Sequence, residues 1–185
     1  MNDSSNNLRG ATEILNAVIE KLEALTLEPG NEAAFARVEI FDLADWKAAV
    51  RRLVLNDNRA ALVIYAGDDF KHVRENSVLT VDRTTRIDVL LTDRLLGDTV
   101  RALTGDGSRP GTLGLLDALL PALTGTILDA DEDQEDSVYL VPTGVERIFV
   151  TDEEKANWPG RSALLLSLEA SAPWLQTAVG NQSNF

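Results

Sequence analysis

Apolar residues in "ATEILNAVIEKLEALTLEPG" recur at helical spacing: Ile14, Leu15, Val18, Ile19, Leu22 and Leu25, with Glu13, Glu20, Lys21 and Glu23 opposite. The segment predicts an amphipathic helix stopped by Pro29 and Gly30. The period then shortens to two in "FARVEIF", where Phe35, Arg37, Glu39 and Phe41 alternate with Ala36, Val38 and Ile40, as in a strand. "DLADWKAAVRRLVLND" returns to helical spacing. Trp46, Ala49, Val50, Leu53 and Val54 form its apolar face, and Asp42 or Asp45 is placed to cap it. "RAALVIYAG" is a continuous apolar run ending at Gly67, the pattern of a strand buried on both faces.

The polar "DDFKHVRENS" reads as a loop. "SVLTVDRTTRIDVLLTD" reads as one long strand with Arg83, Thr85, Ile87, Val89 and Leu91 on one side. A short helix is expected in "RLLGDTVRAL", weakened by Gly97, and a mobile, hairpin-like loop in "TGDGSRPG". "TLGLLDALLPALTG" predicts a helix buried along Leu113, Leu116, Leu120 and Leu123, which Pro121 bends or ends. "SVYLVPTGVERIFVTD" is strand-like on both sides of a "PTG" turn or bulge. "RSALLLSLEAS" reads as a last strand and "APWLQTAVGNQSNF" as a short terminal helix.

Strands run consecutively through the second half, which excludes the alternation of a doubly wound parallel sheet. The expected class is α+β: a mixed or mainly antiparallel β-sheet of four to six strands with helices packed on one face. Residues 11–180 form a single domain in this reading, between a flexible N-terminus, 1–10, and a flexible C-terminus, 181–185. A length of 185 residues suits one core, and 44% hydrophobic with 25% charged residues argues against global disorder. The chain has no cysteine, which excludes disulfides and thiolate metal sites. No run is long enough to span a bilayer, and no apolar signal region follows the polar start. The formal charge of −13 opposes binding to phosphate backbones, so no sequence-specific nucleic-acid partner is expected.

The loudest chemistry lies in "DADEDQEDS", where Asp129, Asp131, Glu132, Asp133, Glu135 and Asp136 crowd one stretch. Asp129, Asp131 and Asp133 fit positions 1, 3 and 5 of a calcium loop. Gln134 and Leu140 stand where that loop needs glycine and a bidentate glutamate. A solvated, acidic surface is the better account, and no metal or other cofactor is expected. His72 is the single histidine, so no multi-histidine site exists. "TGDGSRPG" lacks the spacing and the lysine of a phosphate-binding loop. Trp158, beside Pro159 and Gly160, is a candidate contact residue, against the alternative that it folds back onto the sheet.

The course of the chain resembles a family of bacteriophage minor tail proteins that includes tail terminators. The resemblance lies in "ILNAVIEKLEAL", "AALVIYAGDDF" leading to "TTRIDVLLTD", "LGLLDALLPAL", "VYLVPTGVERIFV" and "GRSALLLSLEAS", in that order. It implies a non-catalytic structural protein that forms a ring, usually hexameric in that family, at the end of the tail tube. Its partners would be further copies of itself, the tail tube protein and head–tail connector proteins, first in the host cytoplasm and then in the virion tail. Its acidic residues would line the lumen or rim. An acidic adaptor or immunity-like module with a basic partner is the alternative. An enzyme built on Asp68, Asp69 and His72 beside "YAG" is a third hypothesis.

Overall fold

The computed structural model describes residues 10–27, 32–41, 59–75, 78–94, 98–125, 127–128, 138–148 and 160–178. In chain order the elements are α1 (Ala11–Glu23), β1 (Thr26–Leu27), β2 (Glu32–Ala33), β3 (Arg37–Phe41), β4 (Arg59–Glu75), β5 (Val78–Arg94), α2 (Thr99–Thr104), α3 (Thr112–Leu123), β6 (Ile127–Leu128), β7 (Val138–Ile148) and β8 (Arg161–Ala178). The fold is α+β. Strands β1 and β2 pair with each other, and the main sheet has six strands in the order β3-β4-β5-β8-β7-β6. Among the described strands only β3 and β4 run parallel; the other pairs in the main sheet are antiparallel.

Strand alternation sorts the side chains into two faces. Ala61 and Val63 of β4, Ile87, Val89 and Leu91 of β5, and Leu164, Leu166 and Leu168 of β8 point to one face. There they meet Ile14, Leu15, Val18 and Leu22 of α1 and Leu115, Leu116, Leu119 and Leu123 of α3. The described helices thus pack on one side. The opposite face carries a smaller buried cluster of Ala60, Leu62, Ile64, Leu90 and Ala163, to which no described helix contributes. No helix among the described residues is long and apolar enough to cross a membrane.

Local chemistry explains where elements begin and end. The Glu13 side chain reaches back to accept from the Gly10 N–H at 3.2 Å, satisfying an exposed donor at the start of α1. The Asp98 carboxylate caps α2 by accepting from the N–H groups of Val100 and Arg101. Pro121 sits inside α3, which still continues to Leu123. Both Pro121 and Asp117, the residue whose carbonyl loses its donor, are exposed, so water can replace the missing bond.

Several expectations need correction. Helix α1 ends at Glu23, and Thr26 and Leu27 leave for the β1–β2 pair, although Leu25 still packs on the core. The expected loop 68–77 is strand as far as Glu75, because β5 supplies a partner for each of residues 68–75. Of the turn or bulge expected at "PTG", the structure has the bulge: β7 is one strand with a register shift between Pro142 and Gly144, rather than a strand pair. In place of the first part of the expected terminal helix, β8 continues to Ala178, paired to β5 except at Trp174, where the register shifts; residues 179–185 lie outside the described residues. The buried side of α3 runs through Leu115, Leu116, Leu119 and Leu123; Leu113 is 41% exposed. The helix expected over 42–57 lies outside the described residues.

Replacing Leu119 by Ala should lower stability by about 2–5 kcal/mol in urea unfolding, through lost burial and a cavity. Leu113→Ala should stay within about 0.5 kcal/mol. The reverse ranking would mean that α3 presents its other side to the sheet.

Candidate functional site

Strands β4, β5 and β8 continue past the helical layer as a three-stranded arm. Among the side chains described, the buried apolar clusters reach Ile64 on β4 and begin at Ile87 on β5, whereas pairing continues out to Glu75 and Val78. At about 3.3 Å per residue, the stretch from Gly67 to Glu75 adds roughly 25–30 Å of strand. Residues 69–72 are exposed.

The arm starts at a β-bulge. Tyr65 pairs with Ile87 and Gly67 with Arg86, leaving Ala66 as the extra residue. Gly67 has φ of 115°, a conformation that disfavours side chains with a Cβ. The extra residue shifts the alternation by one, so Asp68 joins Tyr65 on the helical face. Its partner there is Thr85, which is fully buried.

Asp68 is the hub of this region. One carboxylate oxygen accepts from the Tyr65 hydroxyl at 2.7 Å and from Arg83 Nη2 at 2.5 Å; the other accepts from the Thr85 hydroxyl at 2.8 Å. Burial pushes the Asp68 carboxyl up, but the hydrogen bonds from Arg83, Tyr65 and Thr85 outweigh it and hold the group below the ordinary aspartate value. The bond to Asp68 raises the Tyr65 hydroxyl, with burial and the Asp68 charge adding to it. Arg83 in turn lies 6.0 Å from the ring centroid of Phe70, its direct cross-strand partner. Above this polar hub stand two aromatic rings, Tyr65 at 40% and Phe70 at 52% exposed.

The other end of the sheet holds a second charge cluster. Asp93, 1% exposed, accepts from Arg109 and lies 3.5 Å from Arg59 Nε. Burial raises the Asp93 carboxyl, and the charges of Arg109 and Arg59 only partly offset it. Arg59 Nη2 also donates to the Pro110 carbonyl at 2.6 Å. Asp106 accepts from the N–H groups of Ser108 and Arg109 and from the Ser108 hydroxyl. The "GDGSRPG" loop, expected to be mobile, is therefore pinned from within by Asp106 and to the sheet by Arg59 and Arg109. Gly105 is required there: its φ is 91°, and a Cβ would lie 2.6 Å from the Arg109 carbonyl.

The residues singled out in the sequence fare unevenly. Asp129, Asp131, Glu132, Asp133, Glu135, Asp136 and Trp158 lie outside the described residues. Asp68 and Asp69 fall on opposite faces; Asp69 pairs with Arg86 at 3.2 Å. His72 is on β4 rather than in a loop, opposite Val81. Tyr65, Phe70 and Arg83 were missed. The signal for them was Gly67 at the end of an apolar run, the mark of a bulge that brings residues three apart to one face.

The Asp68 shift fixes a pH dependence. A carboxyl lowered in the fold adds stability above about pH 4, which is lost as pH falls through its folded value. Asp68→Asn should cost about 1–3 kcal/mol at pH 7, with the gap to wild type in urea unfolding narrowing as pH falls below about 4. An undiminished gap at acid pH would refute the charge-assisted hub. Asp93→Ala, which strands two arginines, should cost about 3–5 kcal/mol. No protein-family model matches this chain, and no curated protein matches it.

Proposed function

We propose that the protein is a structural, terminator-like tail assembly protein of a phage or prophage, which joins copies of itself into a ring at the end of a tail tube. One observation carries the reading: the sheet has two unlike open edges. Beyond Ile64, β4 has no strand partner on its outer side among the described residues, and the same holds for β7 beyond Tyr139. Unpaired strand edges are templates for pairing with another chain. Two different edges brought together make a heterologous contact, and a heterologous contact that closes on itself gives a ring.

Side chains at both edges support it. Tyr65 and Phe70 on the arm, and Val141 at 53% and Val145 at 49% exposed on β7, are the kind of apolar groups an interface buries. The Asp68–Arg83 pair holds the arm side in one geometry, which lowers the ordering cost of association. The acidic residues 129–136 remain candidates for a lumen lining by charge alone, since negative surface does not grip passing DNA.

Light scattering on size-exclusion fractions, negative-stain imaging and a binding assay with tail tube protein test the proposal. The expected result is a closed ring, formed by the isolated protein or on the tube. Phe70→Ala and Val145→Lys should each weaken assembly by about tenfold or more, with melting temperatures within about 2 °C of wild type. A strict monomer that neither forms rings nor engages tube protein would overturn the proposal.

A further inference from the structure

At the end of the sheet opposite the arm, Arg94 of β5 and Arg161 of β8 stand directly across from each other. Both point away from the helices, because their neighbours Asp93 and Ser162 lie on the helical face against Arg109 and Thr112. Directly opposed side chains have Cβ atoms about 5 Å apart, and like charges so placed repel. Arg161 is only 6% exposed, and its neighbour along β8 on that face, Ala163, belongs to the buried apolar cluster. Water therefore screens this repulsion poorly.

No carboxylate among the described residues answers either guanidinium. The nearby buried acid, Asp93, directs its oxygens to Arg109 and Arg59 on the other face. Among the described residues, Arg59 and Arg109 thus have a counter-charge, and Arg94 and Arg161 have none. Burial, and then the Arg94 charge, push the Arg161 guanidinium down to about 10, so the fold holds this cation where it is disfavoured. Uncompensated charge of this kind concentrates at functional sites.

We propose that Arg94 and Arg161 form a binding site for a small oxyanion, a phosphate or carboxylate group seated between two guanidinium groups. Each guanidinium presents parallel N–H donors that match two oxygens of such a group, and an anion there removes the repulsion between them. Arg94 is partly exposed and gives the open side. The net charge of −13 disfavours long polyanions near the pair, which selects for a compact ligand.

Thermal unfolding of the full chain in inorganic phosphate or in succinate, at ionic strength held constant with chloride, tests the site. Wild type should gain about 5–10 °C at a hundredfold excess of a bound anion over its dissociation constant. Phosphate also stabilises proteins without binding them, so the comparison with variants decides. Arg94→Gln, at the half-exposed position, should fold and bind at least tenfold more weakly; Arg161→Gln should do the same. A response to phosphate alone assigns the site to phosphate-like ligands, and a response to succinate assigns it to carboxylates. If neither anion raises wild type above Arg94→Gln, the site does not exist.

Discussion

Strand β5 is paired on both sides from Val78 to Asp93, to β4 on one side and β8 on the other. That constraint organises the molecule. A central strand has no spare backbone donors or acceptors, so it cannot slide by one residue without turning every side chain to the wrong face. Ile87, Val89 and Leu91 are held toward α1 and α3, while Leu90 is held toward the second apolar cluster. The helices have a fixed surface to pack on because this register is fixed.

From the same register come two ends of opposite electrostatic character. At the arm, the bulge at Gly67 turns Asp68 inward, where one carboxylate collects three donors from Tyr65, Arg83 and Thr85. At the far end there is no bulge, and the alternation deals charges to both faces. Asp93 goes to the helical side with Arg59 and Arg109, and Arg94 and Arg161 go to the other. One end is a carboxylate that collects several donors; the other is a cation pair that no carboxylate among the described residues answers.

How much of this was legible in the sequence depended on periodicity. The β5 stretch was read in full, because Arg83, Thr85, Ile87, Val89 and Leu91 keep a period of two across polar and apolar positions alike. Residues 68–75 were not, since composition there is that of a loop and only pairing with β5 makes it a strand. The C-terminal half of β8 failed for the same reason: Pro173 argues against a strand until its place beside a register shift is known. The face of α3 was misjudged because its leucines nearly encircle it, leaving little contrast to read. The arm's hub was hidden by the bulge, and the loop at 104–111 by long-range bonds from Arg59. Local texture reached the elements; bonds between distant residues decided the sites.

The placement of β8 beside β5 also bears on how the chain is made. Strand β5 ends at Arg94, but its second partner begins at Arg161, so the central strand leaves the ribosome long before it can be completed. Until the chain has been synthesised through Ala178, one side of a seventeen-residue strand is open to any extended segment that reaches it. At about 5–20 residues per second that interval lasts several seconds. The net charge of −13 opposes contact between two such open chains, because like-charged copies repel.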